Sequence, residues 1–192
     1  MGKIVVSANV SLDGVVEDPT GEEGLKGRAW FRPDESPDGA AWAADELREA
    51  RGIGALLLGG RTYEWFAERW PSRTGEWADL LKAAPKYVVS TTLTEFPWAN
   101  ATLLKGDLAD GVAALRREVD GDVFVFGSGR LVRSLMENDL VDELRMKVHP
   151  VVVGTGERLF GASGVNRGLR REDTRMIGDG IVLLTYRPLR DA

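Results

Sequence analysis

Residues 55–63, ALLLGGRTY, run from an apolar strand through two glycines into a helix. Residues 123–131, VFVFGSGRL, repeat this order, and we call the two segments the first and second glycine turns. A strand that ends in glycine before a helix offers free backbone N–H groups and the positive end of a helix dipole to an anion. Two such turns suit a ligand with two anionic ends, such as a dinucleotide. The pattern therefore predicts a cofactor-using enzyme.

Length and composition indicate one globular domain over residues 1–192. The chain is 43% hydrophobic and 29% charged, which is ordinary for a single domain with one sizeable core. Its formal net charge of -5, without a basic cluster, argues against a nucleic-acid partner. The sequence contains no run of about 20 apolar residues, so it predicts no membrane span. The absence of cysteine excludes disulfides and cysteine zinc sites and fits a cytoplasmic location.

His149 is the only histidine, which limits what the side chains can do chemically. A cysteine–histidine nucleophile pair and a multi-histidine metal site are both impossible, and no metal site is expected. His149 precedes Pro150 at the end of a predicted strand, where a structural or interface role is favoured over a catalytic one. An enzyme of this composition leaves the difficult chemistry to a bound cofactor.

Strands alternate with helices along the chain, which implies parallel pairing through right-handed crossovers. The pattern predicts an α/β domain with a mostly parallel twisted sheet, flanked by helices, and a C-terminal antiparallel hairpin around Gly178-Asp179-Gly180. Residues 144–149 alternate apolar and polar side chains, as a strand with unlike faces would. Predicted strands cover 3–10, 54–58, 86–90, 101–104 and 123–126, and predicted helices cover 43–51, 61–69, 75–84 and 130–138, with a further helix capped by Asp107.

Neither glycine turn is specific by itself. The second begins like a dinucleotide fingerprint, but Val132 replaces its third glycine, and a tight strand-to-helix turn explains it equally well. The first adds Arg61 and Thr62, where an arginine can bind a 2′-phosphate and so favours NADP over NAD. A solvated arginine beside a capping threonine is the ordinary alternative. Because small hydroxyl residues also follow a third strand at 90–92, the three segments together favour a binding edge.

The order of the motifs resembles the dihydrofolate reductase superfamily. Residues 4–14 (IVVSANVSLDG), 58–64 (LGGRTYE) and 125–129 (VFGSG) appear in the order of that superfamily. The resemblance narrows to stand-alone proteins similar to the reductase domain of the bifunctional riboflavin-biosynthesis deaminase-reductase. It implies a dihydrofolate reductase-like fold, NADPH as cofactor and a homodimer. The narrowing segments are 140–145 (LVDELR), 149–154 (HPVVVG) and 158–160 (RLF).

Eleven residues match cofactor-binding positions of that family. Gly60, Arg61 and Thr62 match the segment that binds the adenosine 2′-phosphate side. Ser90 and Thr91 match a hydroxyl pair near the adenine ribose phosphate. The backbone of Ala8 matches the residue that faces the nicotinamide amide. The pyrophosphate turn is matched by Gly127, Ser128, Gly129, Arg130 and Leu131.

The candidate catalytic residues are two carboxylates. Asp13 follows the first strand, near the nicotinamide position of this fold, although the chemistry of an Asp-Gly turn explains it equally well. Asp45 is the nearest match to the carboxylate that folate reductases place at the start of the helix before the first glycine turn. Glu46 competes with it, and a solvated carboxylate favoured by the helix dipole is the alternative. One of the two aspartates or an ordered water would supply the proton.

Three residues are candidates for substrate contact. Asn9 is a polar residue in an apolar strand and is expected to face the substrate. Trp30 lies with Phe31 on the long segment 17–40, which is expected to close over the substrate unless its aromatic residues only anchor the loop. Phe66 is assigned either to the core or to a pocket wall.

The sequence therefore predicts an NADPH-dependent reductase that transfers a hydride to a small heterocyclic or riboflavin-precursor-like substrate, as a 5-amino-6-(5-phosphoribosylamino)uracil reductase does. A bifunctional enzyme is excluded, since a chain without cysteine cannot supply the zinc deaminase domain. The alternative is a non-catalytic nucleotide-binding or dimerisation module that kept the fold and lost the substrate site. A flavin-dependent reductase is the third reading, and a yellow purified protein would favour it.

Overall fold

The computed structural model describes residues 2–22, 29–161 and 166–189. Part of the predicted loop over 17–40 lies outside these residues. The strands are β1 (Ile4–Ser11), β2 (Ile53–Gly59), β3 (Lys86–Val89), β4 (Ala101–Leu103), β5 (Asp122–Phe126), β6 (Glu143–His149), β7 (Leu169–Ile177) and β8 (Ile181–Pro188). The helices are α1 (Gly39–Ala50), α2 (Gly60–Arg69), α3 (Glu76–Ala83), α4 (Leu108–Glu118) and α5 (Gly129–Glu137), and a 3₁₀ turn spans Trp70–Ser72.

The strands form one eight-stranded sheet in the order β4-β3-β2-β5-β1-β6-β8-β7. All pairs from β4 to β6 are parallel, whereas β8 runs antiparallel to β6 and to β7. The predicted α/β fold with its C-terminal hairpin is confirmed. Because parallel strands end at the same edge, the two glycine turns come side by side after β2 and β5.

Both faces of the central strands are buried, as expected for parallel strands that carry helices on each side. Successive residues of β2 therefore belong to different clusters. Ala55 and Leu57 pack with α4 and α5, whereas Leu56 and Leu58 pack with α2 and α3. No helix among the described residues is long and apolar enough to cross a bilayer.

Helix α1 begins at Gly39, four residues before the predicted start at Ala43. The preceding Asp38 is buried, and its carboxylate accepts hydrogen bonds from the backbone N–H groups of Asp179 at 2.7 Å and Gly180 at 3.1 Å. This contact between distant segments sets where the helix begins. Asp45 consequently lies in the middle of α1, and its predicted place at the start of the helix is wrong.

The two faces of β6 differ in polarity, as the alternation predicted, but the polar face is buried as well. Helix α1 covers this face, so that Lys147 and His149 are only 0% and 2% exposed. Polar side chains tolerate such burial when partners satisfy their hydrogen bonds and charges. The partners come from α1 and β1, which brings polar groups together beneath the helix.

Candidate active site

The two glycine turns are joined by hydrogen bonds through Ser128. The Ser128 Oγ atom accepts a hydrogen bond from the Gly59 backbone N–H at 3.0 Å. The Ser128 backbone N–H donates to Thr62 Oγ1 at 3.1 Å. The end of β2 and the start of α5 therefore share one rigid corner, although 69 residues separate them.

Both helices that start at this corner lack a side-chain cap. Neither Gly59 nor Ser128 places a side-chain acceptor on the first turn that follows it. Gly127 and Ser128 have φ values of 53° and 54°, a region that L-residues other than glycine seldom occupy. The side-chain and backbone bonds of Ser128 hold it there. The N–H groups of both first turns thus remain available to an anion, with both helix dipoles pointing their positive ends toward it.

Ser90 lies against the first glycine turn. A Cβ atom on Gly60 would lie 3.0 Å from Ser90 Oγ, so only glycine allows this close approach without displacing the serine. Ser90 Oγ itself accepts from the backbone N–H groups of Thr92 at 3.2 Å and Leu93 at 3.1 Å. Thr91 is exposed beside it. The third segment of small hydroxyl residues therefore joins the same edge of the sheet.

Strand β1 has an unpaired edge next to this corner. Its pairing with β5 ends at Ser7 opposite Phe126, whereas its pairing with β6 continues to Ser11 opposite His149. From Ala8 onward, no described strand pairs with the side of β1 that faces β5. Ala8, predicted to face the nicotinamide amide, begins this open edge directly beside the second glycine turn.

The side chains of the second glycine turn face different surroundings. Arg130 is exposed, whereas Leu131 is buried in the core, so only the backbone of Leu131 is available at this edge. The Arg61 guanidinium is 66% exposed and lies 3.5 Å from Glu157 Oε2. Arg133, which was not among the predicted residues, bonds the other oxygen of Glu157 at 2.8 Å. Its position four residues after Gly129, on the same helix face, is the signal that could have identified it.

Asp13 connects the end of β1 to the segment after β6. Its carboxylate accepts hydrogen bonds from Val153 N at 3.0 Å, Gly154 N at 2.9 Å and Ser11 Oγ at 2.8 Å. The backbone N–H of Val153, the Ser11 hydroxyl and the Gly154 N–H hold the pKa of Asp13 well below its usual range. An ionised carboxylate carries no proton at neutral pH, so this geometry favours an anchoring role over proton donation.

Asp45 is 1% exposed, and its Oδ1 atom contacts the guanidinium groups of Arg48 and Arg175. Its Oδ2 atom is buried with no hydrogen-bond partner among the described residues. The competing carboxylate, Glu46, contacts Lys147 Nζ at 2.6 Å. Both predicted candidates on α1 are therefore engaged by cations of the sheet.

Lys147 is fully buried between two glutamates and a serine. Its Nζ atom donates to Glu46 and Glu49 at 2.6 Å each and to Ser7 Oγ at 3.1 Å. Burial would lower the pKa of Lys147, but the two carboxylates outweigh it and raise this pKa. Burial raises the pKa of Glu46, whereas for Glu49 the contacts with Lys147, Ser7 and Arg145 overcome burial and lower the pKa. The cluster thus holds an ammonium ion against an ionised Glu49.

Asn9 lies on the α1 side of β1 and is held by two ring nitrogens. Its Oδ1 atom accepts from Trp42 Nε1 at 2.8 Å and lies 3.0 Å from His149 Nε2. An indole N–H only donates, so the atom facing Trp42 is the carbonyl oxygen, and His149 must carry its proton on Nε2. The Asn9 amide nitrogen then points away from both rings. Trp42 lies on the same face of α1 as Glu46, the spacing that could have identified it.

Trp30 and Phe31 pack on His149. Their ring centroids lie 5.3 Å and 4.2 Å from the imidazole, and Trp30 Nε1 donates to Glu17 O at 3.0 Å. Both residues line an open pocket of about 320 Å³, together with Asp38 and His149. The described part of the long loop is therefore anchored by its aromatic residues beside this pocket.

Phe66 is a core residue rather than part of a pocket wall. It is buried and stacks on Trp98, with ring centroids 5.6 Å apart and planes 5° from parallel. Helical spacing brings Phe66, Tyr63 and Trp70 to the inner side of α2, in the cluster between α2, α3 and the sheet. Its assignment as a substrate contact is corrected on this ground.

The buried imidazole makes a prediction for acid stability. Burial and the charge of Lys147 lower the pKa of His149 from 6.5 to about 4, with Asp38 offsetting part of this effect. The unfolded chain then binds the proton first as pH falls, so stability is lost between the two pKa values. We expect this group to contribute a loss of roughly 2 kcal/mol between pH 7.5 and pH 5.

Urea unfolding of the wild type and of His149→Gln at both pH values measures this contribution. The variant should have a smaller difference in free energy of unfolding between the two pH values, because glutamine does not titrate. Equal differences in the two proteins would show that the imidazole does not carry the acid sensitivity.

Comparison with known proteins places this geometry in a family. The model of the RibD C-terminal domain matches residues 2–183. The uncharacterized protein YyaP of Bacillus subtilis (strain 168) is 27% identical over 189 residues, which is 96% of this chain and 94% of YyaP. A putative riboflavin biosynthesis protein from Shewanella sp. PV-4 has a TM-score of 0.71 at 23% identity, covering 99% of this chain and 100% of that chain.

A bifunctional protein contains the same fold. A diaminohydroxyphosphoribosylaminopyrimidine deaminase/5-amino-6-(5-phosphoribosylamino)uracil reductase from Thermotoga maritima has a TM-score of 0.64 at 14% identity. The match covers 98% of this chain and 57% of that chain. The likenesses confirm the dihydrofolate reductase-like fold. Since the family model also matches almost the whole length, the chain belongs to the RibD C-terminal domain family.

Proposed function

We propose that the protein is an NADPH-dependent reductase of a small heterocyclic substrate. The observation that carries this proposal is the corner joined through Ser128, where two uncapped helix N-termini meet beside the open edge of β1. A dinucleotide presents a pyrophosphate and a nicotinamide, which need an anion site and an adjacent strand edge of this kind. NADPH, when bound, supplies a hydride.

The residues at the corner fit the parts of NADPH in sequence along the edge. The backbone N–H groups of Gly127, Gly129 and Arg130 suit the pyrophosphate, and the exposed Arg61 suits the 2′-phosphate. The open backbone groups of β1 from Ala8 onward suit the carboxamide of the nicotinamide. The backbone donors are held in place before binding, so little backbone ordering is needed to bind the dinucleotide.

The substrate side is formed by polar groups on the α1 face of β1. Trp42 and His149 occupy the side-chain oxygen of Asn9. The amide N–H groups of Asn9 are therefore left for a ligand, and they suit a ring carbonyl of a pyrimidine. The Thermotoga maritima protein bears the name of a uracil reductase, and a pyrimidinedione is the substrate class that we propose here. Water supplies the proton, because Asp13 is held ionised and Asp45 contacts two guanidinium groups.

Calorimetric titration with NADPH and NADH, followed by turnover assays, tests the proposal. We expect NADPH to bind more tightly than NADH, and its absorbance to fall in the presence of 5-amino-6-(5-phosphoribosylamino)uracil or a related pyrimidine. If the protein binds neither dinucleotide, the proposal is wrong. A colourless purified protein would also argue against the flavin-dependent reading.

A non-catalytic nucleotide-binding module is the second candidate. The observation in its favour is that every carboxylate predicted to act on substrate is engaged by a cation or by backbone N–H groups. This candidate predicts NADPH binding without turnover on pyrimidines, pterins or flavin precursors. The homodimer implied by the family resemblance is part of either proposal, and light scattering in solution tests it.

A further inference from the structure

A carboxylate of the chain itself lies at the corner where the proposed cofactor would place a phosphate. Glu157 Oε1 accepts from Arg133 Nη2 at 2.8 Å, and Glu157 Oε2 lies 3.5 Å from Arg61 Nη2. Glu157 Oε1 also lies 3.5 Å from the position of a Cβ atom on Gly129, the first residue of α5. The carboxylate therefore bridges two arginines over the uncapped start of that helix. We call Arg61 and Arg133 the arginine pair.

The backbone of Glu157 is held independently of its side chain. Its carbonyl oxygen accepts from Val16 N at 2.9 Å, and its N–H donates to Glu17 Oε2 at 3.0 Å. Gly156, with φ of 123°, packs so closely that a Cβ atom there would lie 2.9 Å from Val15 Cγ1. Rotation about the side-chain bonds can thus move the carboxylate away from the arginine pair while the backbone stays in place.

The electrostatics of the corner select an anion, and Glu157 provides one. The positive end of α5 and two guanidinium groups face the Glu157 carboxylate, which partly neutralises them. A phosphate group carries more acceptor oxygens than a carboxylate and pairs with arginine in the same forked geometry. A phosphate and Glu157 cannot both occupy the same arginine donors, so they compete.

We propose that Glu157 is an internal substitute for the phosphate groups of the cofactor: on binding, Arg133 exchanges this carboxylate for the pyrophosphate and Arg61 exchanges it for the 2′-phosphate. This inference rests on the proposed function and assigns Arg133 to the pyrophosphate that NADPH and NADH share. Glu157 consequently weakens the binding of both dinucleotides to the wild type.

The test compares Glu157→Gln with Glu76→Gln, which removes the carboxylate of an exposed ion pair with Arg51, 2.8 Å long, outside this corner. Calorimetry should show that Glu157→Gln binds NADPH and NADH about tenfold more tightly, the effect of removing one charge-assisted competitor. Glu76→Gln should bind like the wild type. Unchanged or weaker binding by Glu157→Gln would overturn the proposal.

Arg133→Gln provides the complementary result. Because the pyrophosphate is common to both dinucleotides, this variant should bind NADPH and NADH more weakly by similar factors, about tenfold for each. Unchanged affinity for both would remove Arg133 from the site and contradict the exchange.

Thermal unfolding with inorganic pyrophosphate separates this inference from the proposed function. Pyrophosphate should raise the melting temperature of Glu157→Gln more than that of the wild type or of Glu76→Gln. This result in proteins that bind neither dinucleotide would support the exchange and reject the reductase. Tight NADPH binding by the wild type, with no difference between the variants in either assay, would reject the exchange and leave the reductase standing.

Discussion

Replacing Lys147 with methionine is expected to lower the free energy of unfolding by about 3–5 kcal/mol, the usual result of removing one partner from a buried ion pair. The Lys147 ammonium is the closest cation to two buried carboxylates, at 2.6 Å from each. Methionine has a similar volume, so the loss comes from stranded charge rather than from a cavity. Urea unfolding at neutral pH measures it.

The pH dependence identifies the stranded carboxylates as the cause. Without the ammonium, the pKa values of Glu46 and Glu49 in the folded variant should rise above those of the unfolded chain. The folded variant then holds more protons than the unfolded chain, so the stability of the variant relative to the wild type should fall as pH increases from 5 to 8.

Lys3→Met is the matched control for this experiment. Lys3 pairs at 2.9 Å with Glu143, which lies on β6 as Lys147 does, but the Lys3 side chain is 51% exposed. Solvent screens such a pair, so the variant should lose about 1 kcal/mol or less. A Lys147→Met protein that loses no more than this control, with no added pH dependence, would contradict the buried ion pair.

Replacing Arg61 with alanine is expected to weaken the binding of NADPH by about 10–100-fold while leaving the binding of NADH nearly unchanged. This is the effect of losing one or two charge-assisted hydrogen bonds to a phosphate. NADH lacks the 2′-phosphate, so it has no group for this side chain at the adenosine end. The variant also loses the contact between Arg61 and Glu157, but the Glu157–Arg133 pair stays in place. Paired titrations of the variant with both dinucleotides measure the selectivity.

Arg51→Ala is the control for a general effect of lost positive charge. Arg51 is 59% exposed like Arg61 and pairs with Glu76 at 2.8 Å, away from the glycine turns. Replacing Arg51 should change neither the affinity for NADPH nor the affinity for NADH. Equal losses of NADPH and NADH affinity in Arg61→Ala would overturn the assignment of Arg61 to the 2′-phosphate.

Local features of the sequence predicted the fold and one side of the candidate site. Apolar runs that end in glycine before a helix indicate both the strand and the turn, because backbone freedom and side-chain apolarity act within a few residues. Parallel pairing then brings such turns to one edge. The joining of Gly59, Ser128 and Thr62 follows from this, although no local pattern contains the bonds themselves.

Assignments that depended on a single helix boundary were less successful. The start of α1 is set by hydrogen bonds between Asp38 and the β7–β8 turn, about 140 positions away. That contact moved Asp45 to mid-helix. The sequence left Phe66 between the core and a pocket wall. Its inward position on α2 became clear only when the packing partners of that helix were known.

The sequence by itself determined the alternation of strands and helices, the glycine turns and the edge where they meet, because these follow from local backbone and apolar preferences. Only the tertiary structure decided the partners of the charged groups. Lys147 lies 101 residues from Glu46, and Arg133 lies 24 residues from Glu157. A charged side chain in sequence has the pattern of a solvated face, and only folding shows whether solvent or an opposite charge neutralises it.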